Sequence, residues 1–133
     1  MSGEQAIVRV RDVMTQDYGM VDGLTTIREA LDIFKARDAS VLIINKRHDD
    51  DEYGILLISD IAKQVVAKNR APERVNVYEV MAKPVVAVDP QMDVKYCARL
   101  FDSFGLSTAP VIQEGAVMGV ISYNEIVLEG LRL

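Results

Sequence analysis

"GILLISDI", Gly54 to Ile61, returns as "GVISYNEI", Gly119 to Ile126, 65 residues later (119 − 54). Each reads glycine, two apolar residues, three variable residues, an acid and isoleucine. A recurrence of this kind decides the architecture before local propensity does. Further matches lie upstream. Val10-Arg11-Asp12-Val13-Met14 pairs with Val77-Tyr78-Glu79-Val80-Met81 at an offset of 67 (81 − 14), and Val21-Asp22 pairs with Val88-Asp89 at the same offset. The chain is a duplicated unit.

The spacing within each copy predicts its elements. Ile27, Ala30, Leu31 and Phe34 fall at i, i+3, i+4 and i+7, as do Val94, Cys97, Ala98 and Phe101. Both patterns are amphipathic helices. Thr26 and Glu29 have the form of a capping box, Asp93 can cap the second helix and Gly105 can end it. An apolar run follows each helix, Val41 to Ile44 and Ala109 to Ile112, then a polar turn and the glycine octapeptide. These read as strand, hairpin, strand, helix.

Aligning Ile43 with Val111 gives an offset of 68, so the first helix-to-strand turn is expected to be one residue shorter. The first hairpin, Lys46 to Tyr53, is then three residues longer. Its Asp49-Asp50-Asp51-Glu52 run is expected as a solvated loop, because the EF-hand spacing is absent. The expected division is a first repeat over 7–69, a linker over 70–76 and a second repeat over 77–133. Each repeat has β-α-β-β-α order in an α/β fold.

Composition bounds the function. The 133 residues are half hydrophobic and about a quarter charged, with a formal net charge of −5, the balance of a packed globular chain. No Lys/Arg cluster longer than Lys46-Arg47 occurs, so a nucleic-acid footprint is missing. No apolar run approaches about 18 residues and Met1 to Gln5 has no signal-peptide character; a cytoplasmic protein without membrane attachment is expected. One cysteine, Cys97, and one histidine, His48, exclude an intramolecular disulfide and argue against a metal centre or a nucleophile–base pair. Cys97 belongs to an apolar helix face.

With its duplicated "V-x-x-V-M", the "V-D-P" at Val88-Asp89-Pro90, the "A-P-V-I" at 109–112 and the two octapeptides, the chain resembles a tandem pair of CBS domains, a Bateman module of small stand-alone type. The resemblance runs from about Val10 to Leu131. It implies two β-α-β-β-α repeats packed sheet to sheet about a pseudo-twofold axis, a homodimer, and clefts between the repeats for an adenosyl compound: AMP, ADP, ATP, an NAD-type nucleotide or S-adenosylmethionine. It implies a regulatory role in signal transduction, acting on an enzyme or transporter, with no required cofactor and no catalysis.

The family's ligand motif is glycine, two apolar residues, Thr or Ser, two variable residues and Asp. The resemblance makes Asp60 and Glu125 ribose acceptors and Ser122 a phosphate-side hydroxyl, while Leu57 replaces the hydroxyl of the first copy. It also makes Gly19, Met20 and Val86 contacts to the base, places Ala39, Ser40, Leu106, Ser107 and Thr108 on the turns before the inner strands, packs Ile55 and Val120 on the base, and makes Lys83 a phosphate contact of the second copy. The first copy has Leu42 where the second has the strand proline, and its shorter turn is expected to displace Ser40 from register.

Ser122 and Glu125 are also spaced as a capping box, and an acid in a first helical turn is favoured by roughly 0.3–1 kcal/mol. In the first copy Ser59 is the expected cap, which makes Asp60 the stronger ligand candidate. The helices after the octapeptides carry Ile61, Val65, Val66, Ile126, Val127 and Leu131, an apolar surface that predicts dimerisation. The alternative to a sensor is a dimerisation or docking module with degenerate nucleotide sites.

Overall fold

The computed structural model describes residues 6–131, so Met1 to Gln5 and the last two residues of the expected second repeat lie outside the described residues. In chain order the elements are α1 (Val10–Val13), β1 (Gly19–Val21), α2 (Ile27–Arg37), β2 (Val41–Ile44), β3 (Gly54–Leu57), α3 (Ile58–Ile61), α4 (Val94–Phe104), β4 (Thr108–Gln113) and β5 (Ala116–Ser122). A π-helical turn, Ala62–Val66, prolongs α3, and another, Glu125–Glu129, follows β5.

The strands form two separate sheets. In the first, β1 pairs parallel with β2 and β2 antiparallel with β3. In the second, β4 pairs antiparallel with β5, while Val88 makes a single parallel bridge to Val111. The β-α-β-β-α order therefore holds in both repeats, with the first strand of the second reduced to that bridge.

Capping follows the side-chain chemistry. Thr26 Oγ1 accepts from the Glu29 N–H at 3.1 Å, and Glu29 returns the bond to the Thr26 N–H at 3.1 Å. Asp93 Oδ1 accepts from the Lys95 N–H. Helix α2 ends on Asp38 at φ +50° and α4 on Gly105 at φ +64°, the left-handed conformation that closes helices and that glycine adopts without a Cβ clash.

The strand register corrects two expectations. Val41 faces Leu57 and Thr108 faces Ser122, so β2 and β4 correspond at an offset of 67 (108 − 41), the same as between Asp38 and Gly105. The two helix-to-strand turns are equally long, Ser40 is in register with Ser107, and Ile43 rather than Leu42 corresponds to Pro110. The first hairpin is longer by two residues (67 − 65), not three. The misalignment arose because β4 opens with polar Thr108 where β2 opens with Val41, so the apolar run of the second copy starts one residue later although the turn is no longer.

The chain packs into two compact units that do not follow the sequence repeats. One is Asp17–Val85; the other combines the described residues through Gln16 with those from Val86 onward. Each copy of "V-x-x-V-M" is thus housed with the other copy's sheet. Val77 and Val80 are buried in the core of the first unit with Ile27, Phe34, Leu42 and Leu56. Val10 and Val13 are buried in the second with Cys97, Phe101, Val111 and Ile121. Burying a valine is worth about 1.5–3 kcal/mol, so each leading segment is a substantial part of the core it joins.

Backbone bonds repeat the exchange at an offset of 67. Val77 N–H donates to Thr25 O as Val10 N–H does to Met92 O. Ile27 N–H donates to Val75 O as Val94 N–H does to Val8 O, and Tyr78 N–H to Gly23 O as Arg11 N–H does to Pro90 O. The connector over 67–76 is correspondingly structured, with Val75 in the first core and Glu73 bonded to Arg28 at 2.9 Å.

Candidate functional site

In each octapeptide an extended strand turns into a helix, and the acid closes that turn. Asp60 Oδ2 accepts from the Leu57 N–H at 2.9 Å. Glu125 Oε1 accepts from the Ser122 N–H at 2.7 Å and from the Ser122 hydroxyl at 2.8 Å, and that hydroxyl accepts from the Asn124 N–H at 3.2 Å. The same bond, from an N-terminal N–H to an acid three residues on, recurs at Arg9/Asp12, Thr26/Glu29 and Asn76/Glu79. At Glu29 and Glu79 these backbone bonds hold the carboxyl below its ordinary range.

The expectation that Ser59 caps the first helix is therefore corrected. Leu57 occupies the cap position, Ser59 lies exposed within the helix, and Asp60 has the same structural task as Glu125. What separates the two acids is the remaining acceptor capacity around them. A carboxylate offers about four acceptor positions; Asp60 commits one, through Oδ2, and its Oδ1 has no partner among the described residues. Glu125 commits two on Oε1, and the Ser122 hydroxyl is itself consumed.

The octapeptide glycines have a steric cause. A Cβ at Gly54 would stand 2.6 Å from Met81 Sδ, 3.3 Å from Ile44 Cβ and 3.4 Å from Ala82 O. At Gly119 it would stand 3.0 Å from both Met14 Sδ and Thr15 O. The methionine of each "V-x-x-V-M" thus rests on the glycine of the other copy. Just after, Ile55 exchanges two backbone bonds with Ala82, and Val120 exchanges two with Thr15. Met14 and Met81 were absent from the sequence-derived candidates, although their shared offset of 67 was the available signal.

The remaining candidates separate by exposure. Gly19 is buried under α2, where a Cβ would meet Leu42 Cδ2 at 3.0 Å and Ile33 Cγ2 at 3.2 Å, so the absence of a side chain there serves packing. Ile55 and Val120 are buried. Met20 and Val86 are apolar residues exposed by about two fifths, at 43% and 39%, and Ser40 and Ser107 are exposed polar ones. Ala39, Leu106 and Thr108 are intermediate. Thr108 and Ser122, both hydroxyl residues, stand opposite one another across β4 and β5.

Lys83 is placed differently from its expectation. It belongs to the Asp17–Val85 unit rather than to the second copy's, and its Nζ lies 2.8 Å from Asp51 Oδ1. Asp51 also accepts from the Arg47 N–H at 2.9 Å, from Nε at 2.9 Å and from Nη2 at 3.3 Å. These donors hold its carboxyl far below the usual range, the Arg47 guanidinium contributing most. The expectation of a wholly solvated acidic loop is corrected at this residue: Asp49, Asp50 and Glu52 are exposed, whereas Asp51 is buried. An acidic run predicts solvation, and only the arrival of Lys83 from 32 residues away (83 − 51) reverses it.

Beside this cluster, residues just after β1, at and just after the end of β2, and from the 78–83 segment line a groove of about 710 Å³. Among the described residues no group of three His, Cys, Asp or Glu side chains is arranged to hold a metal ion. No helix among them is long and apolar enough to cross a membrane.

The family model for the CBS domain matches residues 10–67 and again 77–131. Among solved structures, a hexameric CBS-CP12 protein from bloom-forming cyanobacteria superposes with a TM-score of 0.90 at 36% identity, over 95% of this chain and 74% of that one. The CBS domain pair of protein MJ0100, in complex with 5′-methylthioadenosine and S-adenosyl-L-methionine, has a TM-score of 0.81 at 24% identity, over 96% of this chain and 100% of that one. An uncharacterized conserved protein from Pyrococcus horikoshii has a TM-score of 0.84 at 18% identity, over 98% and 96%. A comparison with curated proteins returned no match. Two matched repeats spanning most of the sequence, and the shared fold, lead to one conclusion: the chain belongs to the CBS domain family, as a tandem pair.

Proposed function

We propose that this CBS pair is a regulatory module that binds an adenosyl-containing nucleotide, with Asp60 as the ribose acceptor. The observation that carries the reading is the half-committed carboxylate: Asp60 is fixed in place by the Leu57 N–H through one oxygen, while the other remains available to accept from a ribose hydroxyl. A positioned charged acceptor forms stronger hydrogen bonds than a neutral one and needs no reorganisation to do so. The MJ0100 pair, by its description, holds two adenosyl compounds, and CBS pairs are generally regulatory rather than catalytic.

AMP, ADP, ATP, NAD-type nucleotides and S-adenosylmethionine all carry the ribose that this acceptor would read. The remaining candidates, Gly19, Met20, Ala39, Ser40, Ile55, Val86, Leu106, Ser107, Thr108, Val120, Ser122 and Glu125, belong to the same proposal as base-side and second-copy contacts. So do a cytoplasmic setting, a regulated enzyme or transporter as partner, and a homodimer. The apolar helix surface invoked for dimerisation is smaller than the sequence implied: Ile61, Val65 and Ile126 are buried in the cores, leaving Val66, Val127 and Leu131 exposed, with Ile58 and Leu128 beside them. The CBS-CP12 relative is described as hexameric, so assembly beyond a dimer is open to this chain as well.

A second reading is favoured by the second octapeptide, where the Ser122 hydroxyl and Glu125 bond each other. There the motif closes on itself, as it would in a docking module without ligand. Thermal-shift and calorimetric titration against AMP, ADP, ATP, NADH and S-adenosylmethionine decides between them, because a ligand selective for the folded state raises Tm by mass action. Asp60→Asn can keep the cap through its amide oxygen while losing the charge. The sensor reading expects one adenosyl compound to raise Tm and Asp60→Asn to abolish the rise; no response to any of them would overturn it.

A further inference from the structure

We propose that the Asp17–Val85 unit carries a second ligand site, a groove for a small organic anion with an aromatic or apolar body. The inference is independent of the nucleotide reading and occupies the other end of the sheet. Gly19 and Ser40 stand at the starts of the parallel strands β1 and β2, whereas the groove is lined by Asp22, Gly23 and Asn45 just beyond their ends. Ser40 and Asn45 are five residues apart along extended chain, roughly 16 Å. Parallel strands leave their crevices at the carboxyl ends, and a groove of about 710 Å³ lies within the range that accommodates small molecules.

Its chemistry is specific. Lys46, Arg47 and Lys83 line it together with the apolar side chains of Ile44 and Met81 and the ring of Tyr78. Against these three cations stand Asp22, whose Oδ1 already accepts from Asn45 Nδ2 at 3.0 Å, and buried Asp51 behind them. Among the lining residues and Asp51 the balance is +1 (three cations, two acids); Asp49, Asp50 and Glu52 of the same hairpin are exposed and do not line the groove. Asp51 holds Arg47 and Lys83 through its two oxygens, so both cations are oriented before a ligand arrives and little rotamer freedom remains to be lost on binding. Tyr78 is half exposed, an aromatic face beside positive charge. An anionic group would bind among the cations while a flat body lies along Tyr78, Ile44 and Met81.

The test uses the full chain and phenyl phosphate as probe, with benzoate and inorganic phosphate as separate arms, followed by 1H–15N NMR. Phenyl phosphate is expected to shift the amides of Gly23, Asn45, Lys46, Arg47 and Tyr78 saturably, at least roughly tenfold more tightly than inorganic phosphate. Benzoate identifies whether the charge alone or the phosphate geometry is read. Lys46→Met, which leaves the Asp51 cluster intact, and Tyr78→Ala are each expected to weaken binding roughly fivefold. The proposal is overturned by the absence of saturable shifts up to about 10 mM, by shifts confined to Leu57–Ile61, or by unchanged affinity in both variants.

Discussion

Replacing Gly54 and Gly119 by alanine probes the exchange of leading segments directly. At Gly54 the new methyl would lie 2.6 Å from Met81 Sδ, inside any contact distance, yet a thioether is a flexible group that can swing aside; the next neighbours, Ile44 Cβ and Ala82 O, are at 3.3 and 3.4 Å. At Gly119 the contact is longer, 3.0 Å, but one of the two nearest atoms is Thr15 O, a carbonyl already accepting from the Val120 N–H at 3.0 Å. Backbone locked in that bridge cannot yield cheaply. Overpacking costs about 1–3 kcal/mol, and alanine returns about 0.4–1 kcal/mol by restricting the unfolded chain.

The net expectation is a loss of roughly 0.5–1 kcal/mol for Gly54→Ala and roughly 1–2 kcal/mol for Gly119→Ala. In a domain of this size each kcal/mol corresponds to roughly 3–5 °C in Tm. Met81→Ala should relieve Gly54→Ala, so that the double variant is more stable than the two single losses added together. Urea unfolding of the parent chain and the four variants, with a double-mutant cycle on Gly54 and Met81, measures this coupling. An additive cycle, or a larger loss at Gly54 than at Gly119, would refute the assignment of these glycines to contact with the other copy's leading segment.

Four further outcomes are expected. Asp51, Glu29, Glu73 and Glu79 all have lowered carboxyl pKa values from their bonded partners; depressed folded-state values stabilise above the unfolded pKa and lose that contribution as pH falls. Melting temperature should therefore drop as pH falls below about 4.5, and Asp51→Asn should flatten that profile; a profile unchanged by the substitution would remove Asp51 from it. The Cys97 thiol, buried in the second core, has a pKa pushed up to about 11 by desolvation; it should resist a disulfide reagent at pH 8 and react fully in urea, and rapid reaction of the folded chain would contradict its burial. Leu57→Ser restores the family's hydroxyl in the first octapeptide and should tighten the proposed nucleotide binding, while Ser122→Ala should cost about 1 kcal/mol as a lost cap. Calorimetry and urea unfolding measure the two, and weaker nucleotide binding by Leu57→Ser would count against the motif.

The local elements were legible because their causes are local. Thr26 and Glu29 sit three residues apart, Ile27, Ala30 and Phe34 line one helical face, and Gly105 supplies the left-handed residue that ends α4; each follows from neighbouring side chains. Ser59 was misread for the same reason in reverse: a serine near a helix start suggests a cap, but Asp60 reaches back to the Leu57 N–H and moves the cap by two residues. The strand alignment failed at Val111 because polar Thr108 opens β4 where Val41 opens β2, so the apolar run starts one residue later while the turn keeps its length. Asp51 was read as solvated because nothing within its own loop announces Lys83.

The duplication, the α/β class, the caps of α2 and α4 and the family were determined by the sequence alone, since a repeat offset of 67 and a set of short-range spacings are properties of the chain in one dimension. Tertiary structure decided which copy each leading segment completes, why the octapeptides begin with glycine, and where the buried Asp51 cluster forms. Those outcomes depend on atoms brought together from distant positions, Met81 onto Gly54 and Lys83 onto Asp51. The methionines and the glycines both recur in the sequence, but which of them meet is fixed only by packing across the copies.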